Sequence, residues 1–157
     1  MVIKTFEAFA GYGSQLMALK RLERDYPEVH FEPVGISEID ENPIKAYKAV
    51  HGNITNYGDI SKIDWNNVPD FDLFTYTWPC QDVSSSGYQK GFAEGSGTRS
   101  GLLWECTKAI IAKRPKYLLM ENVKALCNKK FMPDFQKWLD FLAEQGYSSK
   151  WQVLNSK

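Results

Sequence analysis

Phe71-Asp72-Leu73-Phe74-Thr75-Tyr76-Thr77-Trp78-Pro79-Cys80-Gln81-Asp82-Val83-Ser84-Ser85-Ser86-Gly87 is the stretch that decides how the chain reads. Residues 71–78 form a hydrophobic, aromatic-rich run of strand composition, and Pro79 ends it. Cys80 then stands at the mouth of a Ser/Gly loop. A strand that delivers a thiol to a loop is one way to build a nucleophile. Free cysteine is also a common small core residue, and this stretch alone leaves both readings open.

Apolar runs alternate with amphipathic ones on either side of it. Residues 3–9 read as a strand, Gly11-Tyr12-Gly13 breaks it, and Ser14 caps a helix with Leu16, Leu19 and Leu22 that ends near Pro27. Residues 30–39 read as a second strand. Asn42-Pro43 starts a helix through Val50, and a short third strand near Ile54 ends at Gly58-Asp59-Ile60. The run 71–78 is the fourth strand. Beyond the loop, Leu102 to Lys113 has helical spacing, and residues 117–121 form a near-continuous apolar strand. Residues 133–145 form a helix with Phe135, Trp138, Leu139 and Leu142 on one face, and 147–154 begin a further strand. Strands alternating with helices predict an α/β fold, a Rossmann-like doubly wound and mostly parallel sheet, in which ligands bind at the carboxyl ends of the strands. Gly11–Gly13, Glu38, Asp59, Cys80 and Glu121 all fall at or just past such ends.

A length of 157 residues predicts one domain, 1–157, and 43% hydrophobic with 14% aromatic residues is ample for a core. No apolar run approaches the roughly 20 residues that span a bilayer, and the first residues lack a signal-peptide layout, so a cytoplasmic protein with no membrane partner is expected. Cys80, Cys106 and Cys127 are widely spaced and odd in number, which predicts neither a disulfide framework nor a zinc site; no metal is expected. Lys and Arg together number 19, as do Asp and Glu. Zero net charge implies that any nucleic-acid surface is local or lies on another chain.

Phe9-Ala10-Gly11-Tyr12-Gly13 follows the first strand and opens a helix. Its glycines allow close backbone approach to a ligand, although Leu16 stands where the dinucleotide fingerprint needs a third glycine. Glu38, at the end of the second strand, can accept both hydroxyls of a ribose; a solvated surface Glu is the alternative. Asp59 can accept from an exocyclic amine, or it is a turn or helix-cap aspartate. Together the three describe a site for an adenosine-bearing cofactor.

Phe9–Gly13, Ser37-Glu38-Ile39-Asp40, Gly58-Asp59-Ile60, Pro79-Cys80-Gln81 and Glu121-Asn122-Val123 stand in the order and spacing of the cytosine-C5 DNA methyltransferases, which the whole chain resembles. Gln89-Lys90-Gly91-Phe92 and Arg99-Ser100-Gly101-Leu102 are similar to that family's loop and following helix. The resemblance implies S-adenosyl-L-methionine as cofactor and methylation of cytosine in double-stranded DNA. It implies a cofactor site of Phe9, Ala10, Gly11, Tyr12, Gly13, Glu38, Ile39, Asp59, Ile60, Pro79 and Leu102. Cys80 would be the nucleophile that adds at C6, and Glu121 would hold or protonate N3, a role that suits a buried carboxyl. Gln81, Ser84, Ser86 and Arg99 would contact the nucleic acid around a flipped-out base. The glycines and serines of the loop suit a lid. Cys106 and Cys127 are read as structural.

Residues 147–157 resemble the stretch that in the family leads into the target-recognition region and C-terminal motifs. Three readings follow. The chain is the catalytic part of a split enzyme, completed by a second polypeptide that carries those parts. It is an inactive truncated copy. Or it is a module that binds cofactor or a partner. An RNA cytosine, as in tRNA-methylating relatives, is an alternative target. A sheet edge near 147–154 is expected to be open to pairing.

Overall fold

The computed structural model describes residues 1–84 and 90–154. They fall into two compact units: Met1–Trp78 with Trp104–Glu121, and the described residues of Pro79–Leu103 and Asn122–Lys157.

The first unit is a four-stranded sheet of β1 (Val2–Ala8), β2 (His30–Ser37), β3 (Leu73–Tyr76) and β4 (Tyr117–Met120), in the order β2-β1-β3-β4 and parallel throughout. The chain steps from β1 outward to β2, then returns to add β3 on the other side. This reversal puts the switch point of a Rossmann-like sheet between the carboxyl ends of β1 and β3. Helix α1 (Ser14–Asp25) packs Leu19 on Phe31 and Leu73 of one face; on that side Leu16 and Tyr47 of α2 (Glu41–His51) cluster with Ala10 and Ile36. On the other face Phe6, Phe71 and Phe74 close around Trp65, with Phe6 and Trp65 ring centroids 5.3 Å apart. Helix α3 (Cys106–Lys113) packs against the 3-10 turn that carries Trp65. Truncating any one of these buried aromatics to alanine removes about 3–5 kcal/mol of transfer and cavity energy.

Local choices explain the register. Pro33 has no N–H to give, and it sits on the edge strand β2 beside the shift in pairing between Thr5 and Phe6. Gly35 follows because a Cβ there would lie 2.7 Å from the Tyr57 ring and 3.0 Å from Phe6.

Four expectations change. Helix α1 begins at Ser14, but its cap is Gly13, at φ 82°, with no side-chain cap. The strand near Ile54 shrinks to a single bridge, Ile36 with Asn56, because Glu38 and Gly58 take the Asn56 side chain and turn the chain away. The helix expected from Leu102 starts as a 3-10 run over Ser100–Glu105 and becomes α-helical at Cys106. Residues 147–154 form no strand. After α4 (Met132–Glu144) the chain reverses at Gly146, where Tyr147 N–H donates to the Leu142 carbonyl, and Trp151 lies edge-on to Phe135, 5.6 Å between ring centroids. The edges of the sheet among the described residues are therefore β2 and β4, and on β4 Tyr117 and Leu119 are exposed.

In the second unit, Phe131, Phe135, Trp138 and Leu142 are buried, as are Ala125 and Leu126 in the 3-10 turn Lys124–Cys127.

Candidate cofactor cradle and thiol turn

The loop after β1 is held in an unusual backbone shape. Phe9 (φ 56°), Gly11 (φ 56°) and Gly13 (φ 82°) all lie in the left-handed region. For Phe9 this is a strained conformation, costing on the order of 1–3 kcal/mol, and surrounding bonds impose it. Thr77 Oγ1 donates to the Phe9 carbonyl (3.3 Å), and Ala10 N–H donates to the Ser37 carbonyl (3.1 Å). Gly11 N–H donates to Glu38 Oε2 at 2.9 Å. The other oxygen of Glu38 accepts from the N–H groups of Ile39 (2.8 Å) and Asp40 (2.9 Å). Glu38 thus ties the end of β2 to the glycine loop while half-buried, with one lone pair of Oε2 to spare. A Cβ at Gly11 would meet nothing within 4 Å, so the loop opens onto free space there, and Tyr12 and Ile39 expose apolar surface at its rim.

Asn56 clips the next turn. Its amide donates to the Glu38 carbonyl (2.9 Å), and its oxygen accepts from the N–H groups of Glu38 (3.1 Å) and Gly58 (3.0 Å). Asp59 then caps the 3-10 turn Ile60–Lys62. The Ser61 hydroxyl (2.7 Å) and N–H (3.0 Å) hold its carboxyl below the usual range, with Lys62 adding to the effect, so it stays an ionised acceptor. Asp59 caps this turn through Oδ1, which leaves Oδ2 as a further acceptor. Ile60 is buried.

Sequence reading missed Glu7, Tyr47 and His51, which fasten this loop from beneath. Glu7, next to last in β1, points into the core, 1% exposed. It accepts from the Tyr47 hydroxyl (2.8 Å) and from Leu16 N–H in the first turn of α1 (3.2 Å). Burial pushes its carboxyl up, against the lowering effect of those two bonds, and burial beside Glu7 pushes the Tyr47 hydroxyl up as well. One turn on from Tyr47, His51 Nε2 lies 3.1 Å from the Gly13 carbonyl. The sequence signal was Tyr47 and His51 at i and i+4, one turn apart on the helix that meets this loop.

In the second unit, Cys80 is half-buried and starts a tight turn, its carbonyl accepting from the N–H groups of Val83 (3.0 Å) and Ser84 (2.7 Å). Gln81 and Arg99 are exposed and brought together, Arg99 Nη1 donating to Gln81 Oε1 at 3.1 Å. Ser84, Pro79 and Leu102 are half-buried, and Ser86 lies outside the described residues. Glu121 follows β4, its N–H donating to the Tyr76 carbonyl (3.3 Å); it is exposed, so the burial expected of it is not found. Cys106 is fully buried on α3, where burial pushes its thiol well up, and Cys127 sits half-buried in a 3-10 turn. Among the described residues no His, Cys, Asp and Glu cluster could hold a metal, and no helix is long and apolar enough to cross a membrane.

Comparison with known proteins places this arrangement. The family model for the C-5 cytosine-specific DNA methylases matches residues 3–157. The chain is 38% identical to the type II methyltransferase M2.ScrFI of Lactococcus lactis subsp. cremoris and 32% identical to the orphan methyltransferase M.SssI of Spiroplasma monobiae. These matches cover 99% and 98% of this chain but 57% and 55% of those proteins, so the chain spans about half their length. Among solved structures, the S. pombe Dnmt2 methyltransferase superposes with a TM-score of 0.63 at 20% identity, over 90% of this chain and 39% of that one. The likeness to that structure is one of fold, the Rossmann-like sheet described above. The match spans nearly the whole chain, and the chain belongs to the C-5 cytosine-specific DNA methylase family.

Proposed function

We propose that this chain supplies the cofactor-binding and nucleophilic half of an enzyme that transfers a methyl group from S-adenosyl-L-methionine to C5 of cytosine in DNA. The observation that carries the reading is the grip of Glu38 on Gly11 beside the switch point, in a chain of this family. The residues present fit the cofactor. Glu38 and Asp59 are acceptors matched to ribose hydroxyls and an adenine amine, Gly11 opens on free space, and Tyr12 and Ile39 offer apolar surface beside them. Phe9, Ala10 and Gly13 shape the loop, and Ile60, Pro79 and Leu102 complete the set assigned to the cofactor. When bound, the cofactor supplies an electrophilic methyl group.

The protein's own part starts with a weak nucleophile. Cytosine C5 becomes reactive when the Cys80 thiolate adds at C6, forming an S–C6 bond and an enamine. Glu121 holds or protonates N3 and so stabilises the negative charge that the addition creates. Once C5 carries the methyl group and has lost its proton, the S–C6 bond breaks and Cys80 leaves as thiolate. Inside a duplex C6 is out of reach, so the base is flipped out, with Gln81, Ser84, Ser86 and Arg99 as its contacts to the nucleic acid. The further length of the relatives corresponds, on this reading, to the target-recognition region, provided as more chain or by a second polypeptide.

Two measurements test the reading. Calorimetry of the chain with S-adenosyl-L-methionine is expected to show binding, and no heat at millimolar cofactor would count against it. Cys80→Ser, with the recognition region present, is expected to abolish label transfer to DNA while leaving that binding intact; loss of both would remove Cys80 from its assigned role.

A further inference from the structure

We propose that Asp82 and Ser100 are positioning residues for Cys80, fixing the two peptide planes that flank its Cα and so the direction in which the thiol leaves the backbone. The idea depends on the reading of Cys80 as nucleophile. The plane entering Cys80 carries the Pro79 carbonyl, which accepts from the Ser100 hydroxyl at 2.7 Å. The plane leaving it carries the Cys80 carbonyl, which accepts from Val83 and Ser84 N–H. Asp82 couples the two. Its N–H donates to Ser100 Oγ (3.1 Å), its carboxylate accepts from Ser100 N–H (3.2 Å), and its carbonyl accepts from Gly91 N–H (2.8 Å).

Burial gives this set of bonds its force. Asp82 is 5% exposed and Ser100 is 0% exposed. Neither flanking plane can turn without breaking one of these bonds, and the Asp82–Ser100 pair behind them is buried, so the backbone at Cys80 is held and only its side-chain torsion is free. The choice of residues follows from their donor and acceptor inventories. A serine hydroxyl can donate to Pro79 and accept from Asp82 at once, and a carboxylate offers an acceptor to the Ser100 N–H. An alanine at 100 would take the hydroxyl from the half-buried Pro79 carbonyl and from the buried Asp82 N–H. Asp82 and Ser100 lie eighteen positions apart in sequence, so the pair also bolts together the two ends of the Ser/Gly loop.

Thiol alkylation tests this without DNA or cofactor, so its failure is distinct from a failure of methyl transfer. In a Cys127→Ser background, with Cys106 buried, iodoacetamide reports on Cys80. Ser100→Ala and Asp82→Ala are expected to raise the alkylation rate about fivefold, the change in population that one lost buried hydrogen bond permits. Ser100→Thr and Asp82→Asn, which keep the hydroxyl and an acceptor, are expected to return to within about twofold of the parent rate. Equal rates in all variants would overturn the proposal. So would Thr and Asn variants that behave like the alanine ones, since packing and not the bonds would then be at stake. If Asp82→Ala fails to fold, Ser100→Ala decides alone. Amide exchange completes the test: Val83 and Ser84 should exchange faster in Ser100→Ala while β1 and β3 stay protected, and faster exchange throughout would refute a local role.

Discussion

Replacing Tyr47 by Phe deletes one oxygen and leaves the ring in place. That oxygen carries the O–H that donates to Glu7 at 2.8 Å, and Glu7 is 1% exposed, so solvent does not replace it. A hydrogen bond to a charged group contributes about 1.5–3 kcal/mol, and the buried carboxylate would be left one donor short. A loss of about 2 kcal/mol is expected at neutral pH, or roughly 4–8 °C in melting temperature for a chain of this size. The effect should depend on pH with a defined sign. Burial already raises the Glu7 carboxyl, opposed by Tyr47 and Leu16, and deleting the hydroxyl raises it further. A raised acid folds best when protonated. Its contribution is fully present below the ordinary value of 4.5 and is lost as pH climbs through the folded value. The Tyr47→Phe penalty should therefore be larger on the alkaline side and shrink as pH falls toward the ordinary value of 4.5. Urea denaturation of parent and variant across that range, compared as a difference, cancels other titrating groups such as Asp59 and Asp72. A penalty that is flat with pH, or that grows toward acid, would refute the reasoning.

Gly13→Ala places a Cβ 2.4 Å from His51 Nε2 and 2.7 Å from the Tyr47 ring at φ 82°, and should cost about 2–4 kcal/mol by denaturation, since neither strain nor clash can relax cheaply. Glu38→Ala should weaken S-adenosyl-L-methionine binding by at least about tenfold in calorimetry, through lost hydroxyl contacts and a released glycine loop; an unchanged affinity would remove Glu38 from the cradle. Iodoacetamide followed by mass measurement should label Cys80 and Cys127 in the native chain and Cys106 only after unfolding, because burial both raises that thiol and shields it.

The parts of the fold that were legible in the sequence are those whose signal is local. Strands β1 and β2, helices α1, α2 and α4 and the turn at Gly11–Gly13 follow from periodicity and from Gly and Pro placement. Glu38 followed from its place at a strand end. Partner-dependent features stayed hidden. Residues 147–154 have strand composition, yet a strand needs a neighbour, and here Trp151 finds Phe135 instead. Glu7 alternates within a strand like any solvated residue, and its burial is visible only once α1 and α2 are known to cover the same face. Ser100 read as one of several loop serines, because its role depends on Asp82, far from it in sequence. The C-terminal position of Glu121 was legible, but not its exposure, which composition does not encode.

The order of the strands also has a consequence in time. Val2 pairs with His30, Thr5 with Leu73, and Leu73 in turn with Tyr117, so each pairing in the sheet closes a long span of chain. Sheets built from such non-local contacts fold slowly, because loop closure must precede the contacts that reward it. Synthesis at about 5–20 residues per second adds its own delay. The glycine loop emerges first, yet Ala10 needs Ser37, Gly11 needs Glu38, and Phe9 needs Thr77 before its shape is imposed. The loop is therefore made early and takes its shape only when residue 77 has joined the sheet.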